Sequence, residues 1–142
     1  MLRNLRVLAL LLSALPAWAR GDIFVIVNPA NPVNALTQKE VLDIYMGRKR
    51  AFPSGEYVLS FDQARDGVVR EQFYRMLTGM SLSQVNGYWS RLMFTGQLLP
   101  PQPLPDDSAV LDVVRRNPGA IGYVETPPED SSVTVILVLK QG

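Results

Sequence analysis

The chain of 142 residues contains neither cysteine nor histidine. Without cysteine there can be no disulfide staple and no thiol nucleophile. Without histidine the commonest general base is gone, and with both missing so are the usual zinc ligand sets. Charge of one sign is also scarce. Fourteen lysines and arginines face thirteen aspartates and glutamates, for a formal net charge of +1. That balance excludes a nucleic-acid binder held by phosphate neutralisation. No internal repeat or low-complexity tract occurs, and no apolar run approaches the roughly 20 residues a spanning helix needs.

What is present begins with an export pattern. Arg3 and Arg6 precede a short apolar run, Val7 to Leu15, and Ala17-Trp18-Ala19 supplies the small residues of a signal-peptidase site. Residues 1–19 are therefore expected to be a cleaved signal peptide and residues 20–142 a single periplasmic domain, without stable membrane insertion. Loss of the two leader arginines turns the charge from +1 to −1.

Ile23 to Val27 is a continuous apolar run that suits a buried strand, and Asn28-Pro29-Ala30-Asn31-Pro32 ends it. Thr37 and Glu40 have capping-box spacing, with Leu36 and Val41 placed as a hydrophobic staple. The helix they start, carrying Val41, Leu42, Ile44 and Tyr45, should end at Gly47. Arg48-Lys49-Arg50 follows, and Tyr57 to Phe61 reads as a second strand. Ser81 or Ser83 should cap a third helix that buries Val85, Trp89, Leu92 and Met93. Residues 98–105 hold four prolines and should run extended as a surface strap. Asp106-Asp107-Ser108 should cap a helix that Asn117-Pro118-Gly119 stops. Ala120 to Val124, with Gly122 marking close backbone approach, and Val133 to Leu139 complete the strands. Strands alternating with helices predict an α/β sandwich with ligands off strand ends.

The stretch Asp62-Gln63-Ala64-Arg65-Asp66-Gly67-Val68-Val69-Arg70 is the focus of this pattern. It leaves the second strand, turns, and enters a helix whose apolar face is Val69, Phe73, Met76 and Leu77. Free N–H groups and the positive end of a helix dipole make such a turn a candidate anion site, with Arg70 as a planar cation in the first turn. The same spacing also fits an ordinary connection in which Asp66 is the N-cap and Arg70 is solvated.

Val25 to Pro29 with Asn31-Pro32, Leu36-Thr37 through Gly47-Arg48, Arg70-x-x-Phe73, Tyr88-Trp89 before Phe94-Thr95-Gly96, and Asn117 to Val124 follow one another in an order that resembles the periplasmic phosphate-binding proteins of ABC importers, in their short single-domain form. The resemblance implies a single-lobe periplasmic-binding-protein-like fold of type II, a mixed or parallel sheet with flanking helices. It also implies a solute-binding module for phosphate or another small oxyanion, with a membrane transporter or sensor protein as partner and no cofactor, metal or nucleic acid. The candidate contacts are the backbone of Asp66, Gly67, Val68 and Val69, the Arg70 guanidinium, Arg65 from the same turn, and Asn28 and Ser60 at the ends of neighbouring strands. Two departures stand against the family pattern. The Ser-Gly-Thr-Arg-like turn is here Gly67-Val68-Val69-Arg70, which lacks both hydroxyl donors, and there is sequence for one lobe only. A second reading is a docking or sensor module that kept the fold and lost the ligand. A third, an enzyme using Ser60, Asp62 and Glu71, has no visible nucleophile motif or general-base pair.

Overall fold

The computed structural model describes residues 21–96 and 98–141. The expected signal peptide, residues 1–19, lies outside them. In chain order the elements are β1 (Ile23–Val27), α1 (Gln38–Tyr45), β2 (Leu59–Asp62), α2 (Val68–Thr78), α3 (Leu82–Phe94), β3 (Gln102–Pro103), α4 (Asp107–Arg116), β4 (Ala120–Val124) and β5 (Thr134–Leu139). The strands form one mixed sheet in the order β3-β2-β4-β1-β5. β2 runs parallel to β3 and β4, whereas β1 is antiparallel to both of its neighbours, β4 and β5.

Strand alternation divides the core into two layers. Ile23, Val25, Val27, Ile121 and Tyr123 face one side, where α1, α2 and α3 cover them with Tyr45, Phe73, Tyr74, Leu77, Val85 and Trp89. Phe24, Ile26, Ala120 and Val124 face the other, against Val110 and Val114 of α4. Burying a large apolar side chain contributes roughly 1.5–3 kcal/mol, against which the ordering entropy must be set. Gly122 belongs to the α4 layer, and a Cβ there would meet Val110 Cγ1 at 2.5 Å. The close approach expected from its place in the strand is real.

Local signals set several boundaries. Thr37 Oγ1 accepts from Glu40 N at 3.1 Å and Glu40 Oε1 accepts from Thr37 N at 3.0 Å, closing the capping box of α1. Ser81 and Gln84 form a second box at α3, and Asp106 caps α4 through Ala109 N. The strap joins the sheet through β3, which pairs with β2.

Three expectations shift. β2 begins at Leu59 rather than Tyr57, because a tight turn consumes the preceding residues: Phe52 N donates to Glu56 O and Val58 N to Arg50 O, both at 2.9 Å. β5 is an edge strand, so only Ile136 and Leu139 of it are buried. In α3 only Val85 and Trp89 are buried; Leu92 packs half-buried against the core and Met93 is exposed.

Candidate functional site

At the end of β2 the chain turns through residues 63–66 and enters α2. Gly67, not Asp66, is the N-cap, and it makes no side-chain cap hydrogen bond. The turn is closed by the backbone bond from Gly67 N to Ala64 O, 2.9 Å. The start of α2 opens on a pocket of about 360 Å³ lined by Gln63, Gly67, Val68 and Val69 on one side and by Asp106, Asp107 and Glu125 on the other. Arg70 is the one cation among its lining residues.

Arg70 folds back into the protein and is only 6% exposed. Its Nε donates to Asp62 Oδ2 at 2.9 Å, and its Nη1 donates to Arg65 O at 3.0 Å and to Asn86 Oδ1 at 2.9 Å. The guanidinium carbon also lies 5.1 Å from the centre of the Tyr74 ring, a cation–π distance. Burial alone would lower the Arg70 pKa, but the Asp62 charge and the hydrogen bond to it raise it above the usual arginine value.

Asp62 is 3% exposed and both carboxylate oxygens are occupied. Oδ2 accepts from Arg70 Nε and from Tyr74 OH, the latter at 2.9 Å. Oδ1 accepts from Gln63 N at 3.0 Å and from Tyr123 OH. Burial first, and then the Asp62 charge, push the phenols of Tyr74 and Tyr123 well above their ordinary pKa. An aromatic cluster holds the cage in place. Tyr123 stacks on Phe73 at 3.6 Å, and Tyr45 meets Phe73 edge-on at 4.8 Å. Tyr45 OH donates to Phe61 O at 2.9 Å, fixing the strand end that carries Asp62.

Apart from the Arg65 carbonyl that Arg70 holds, the remaining candidate residues lie outside this cage. Asn28 and Ser60 are not on neighbouring strands, since β4 separates β1 from β2. Because β1 is antiparallel to β4 and β2 is parallel to it, Val27 pairs with Ile121 near the start of β4. Asn28 therefore sits at the opposite end of the sheet from the turn. Its Nδ2 donates to Val114 O at 2.9 Å and to Arg115 O at 3.0 Å, bracing the end of α4. Ser60 faces a separate groove beside Lys49 and Tyr57. Arg65 and Asp66 are exposed, Val68 is exposed, and Val69 packs against the α-helical core layer. Glu71 pairs with Arg75 on the outer face of α2 at 2.9 Å, so Ser60, Asp62 and Glu71 do not converge. Asp107 accepts from Gln63 Nε2 at 2.6 Å and from Thr126 N at 3.0 Å, tying the α4 start to the loop after β4. Among the described residues no group of acidic side chains is placed to hold a metal ion.

Sequence reasoning missed Tyr74, Asn86 and Tyr123 as partners of this turn. Tyr74 was within reach of it, since it lies four residues after Arg70 on the same helix face.

The class that these observations define is one of fold: a single mixed sheet covered by helices on both faces. An ABC-type phosphate transport receptor from Vibrio cholerae superposes with a TM-score of 0.63 at 20% identity, over 80% of this chain and 45% of that one. A putative phosphate ABC transporter substrate-binding protein from Clostridium perfringens, solved with bound phosphate, gives 0.62 at 22% identity, over 80% of this chain and 43% of that one. No protein-family model and no curated protein sequence matches. The fold is thus that of one part of these two proteins, and the chain spans less than half of their length. Among the described residues no helix is long and apolar enough to cross a membrane.

Proposed function

We propose that this chain is an exported, non-catalytic docking module built on a solute-binding lobe, in which Asp62 takes the place of a bound anion. The observation that carries this reading is the Asp62 carboxylate, held by the Arg70 guanidinium, two tyrosine hydroxyls and a backbone N–H. A free oxyanion reaching Arg70 would have to displace that carboxylate. Breaking a buried ion pair of this kind costs about 3–5 kcal/mol, and a tetrahedral anion would then sit beside the expelled carboxylate. At the mouth of α2, Asp106, Asp107 and Glu125 oppose a second negative charge. At about 4 Å each such repulsion is worth from about 1 kcal/mol in water to about 4 at an effective dielectric of 20. The partner in this reading is a membrane transporter or sensor protein, met on the periplasmic side after cleavage between Ala19 and Arg20.

One observation favours an oxyanion-binding module instead: the first turn of α2 has no capping side chain and opens on the 360 Å³ pocket. Titration of the purified protein with phosphate and sulfate separates the two. We expect no saturable heat at millimolar ligand and no shift of the Gly67 to Arg70 amide resonances. A dissociation constant below about 1 mM with those amides shifting would overturn the docking reading. Intact Met1 in membrane-fraction protein would overturn the cleavage.

A further inference from the structure

Between the end of α1, the middle and later turns of α3 and the proline strap lies a groove made of two adjoining concavities that share Trp89 and Pro101. The larger, about 430 Å³, is walled by Tyr57, Leu98 and Leu99, with Lys49 and Arg50 on its rim. The smaller, about 90 Å³, continues past Met93 and Pro100 to Arg65 and Arg70. Tyr57 is 82% exposed and Leu99 is 89% exposed, and both line the same concavity as the buried Trp89. Three cations, Lys49, Arg50 and Arg65, line this groove besides Arg70. The one acid in it is Asp62, which is buried and bound to Arg70.

We propose that this groove docks an extended, acidic segment of a partner protein that carries leucine or aromatic side chains. The proposal rests on the reading of the chain as a docking module and gives that reading a surface and a partner chemistry. Charge complementarity selects acid: basic side chains would face the exposed cations Lys49 and Arg65, and the one carboxylate lining the groove, Asp62, is buried. Concavity selects a chain segment over a lipid surface. Interfacial membrane binders present a projecting apolar face, whereas here the apolar side chains wall a trough suited to extended peptide.

The test has two arms. In the first, the protein is titrated into a fluorescent twelve-residue peptide of Asp, Glu, Leu and Phe, into the same peptide with Lys in place of the acids, and into phosphatidylglycerol vesicles. The acidic peptide should bind, more weakly as salt rises, and at least tenfold more weakly to the Lys49→Glu/Arg50→Glu protein. Circular dichroism confirms that these exposed changes leave the fold intact. No binding of the acidic peptide, equal binding of the basic one, undiminished binding by the charge-reversed protein, or vesicle binding that the peptide does not compete would overturn the proposal. In the second arm, p-benzoylphenylalanine is placed at Leu99 or at Val68 and crosslinked in the producing cell. A segment captured from position 99 and sequenced as acidic and apolar supports the groove; a basic one overturns it. Capture from position 68 alone overturns the groove and leaves the docking reading standing, while capture from neither overturns both.

Discussion

The turn after β2 and the groove beside it share Arg70 as a dividing wall, and they treat polarity in opposite ways. On the inner side every oxygen of Asp62 has donors, and the guanidinium has a carboxylate, an amide oxygen and a backbone carbonyl. On the groove side Tyr57 and Leu99 stand in solvent with cations around them. A buried charge left unpaired costs several kcal/mol, whereas an exposed leucine costs little. Only the inner site is therefore under pressure from folding. What the groove exposes is not required by stability, which leaves it available for the docking proposed above.

The comparison is sharpened most by Asp62→Ala. Removing the carboxylate leaves Arg70, Tyr74 and Tyr123 buried around an empty site, and stability should fall by about 3–5 kcal/mol, read from urea unfolding. Formate at 100 mM should then restore about 1.4 kcal/mol if it binds the vacated site at a dissociation constant near 10 mM, with no effect on the unmodified protein. A variant as stable as the parent would mean the inner site is not the closed ion cage described. Phosphate restoring more than formate would mean that the cage still fits a tetrahedral anion.

How much of this was legible depends on how far apart in the chain the partners lie. Thr37 and Glu40 are three residues apart, so their capping box was readable in the sequence and is present. Ile23 to Val27 and Ala120 to Val124 were readable because continuous apolar runs match buried central strands. The pairing of β1 was not readable. Nothing local distinguishes a strand antiparallel to β4 from a parallel one, and that choice carries Asn28 to the far end of the sheet. Nor was the capture of Arg70 visible, since the hydroxyl that completes the cage comes from Tyr123, 61 residues beyond Asp62. An arginine in the first turn of a helix reads as an anion ligand until the acid that already holds it is located.

The next effect is set by pH. Burial, and after it the Asp62 charge, hold Tyr74 and Tyr123 protonated well above the ordinary value of 10.0. The native state thus keeps protons that the unfolded chain releases above about pH 10. The stability they contribute is complete below that pH and falls as pH rises further, by up to about 1.4 kcal/mol per pH unit for each tyrosine. Urea midpoints measured between pH 8 and 11 should be flat at first and then drop. Tyr74→Phe should lessen the slope. An equal slope in that variant would separate Tyr74 from the cage.

Gly47 tests the boundary between the two regions, because it forms part of the groove floor. Its φ is +75°, and a Cβ there would lie 2.8 Å from Cη2 of Trp89. Gly47→Ala should cost about 1–3 kcal/mol through backbone strain and the displaced indole. It should also weaken the acidic peptide, since Trp89 is common to both concavities. A stability loss with unchanged peptide binding would show that the docking contact lies on the walls and not on the floor.

The smallest expected effect is the one that isolates the groove. Leu99 is 89% exposed, so Leu99→Ser removes almost no buried apolar area, and its stability change should lie within about 0.5 kcal/mol. If the side chain exists to meet a partner segment, peptide affinity must fall while the urea midpoint stays in place. A surface leucine with no role would move neither. A leucine that contributes to the fold would move the midpoint, and would place the proline strap in the core with Trp89. Thermal or urea midpoints and peptide anisotropy on the same preparation decide among the three. A fall in affinity alone, beside the several-kcal/mol loss expected for Asp62→Ala, would separate the region that holds the fold together from the region that the fold displays.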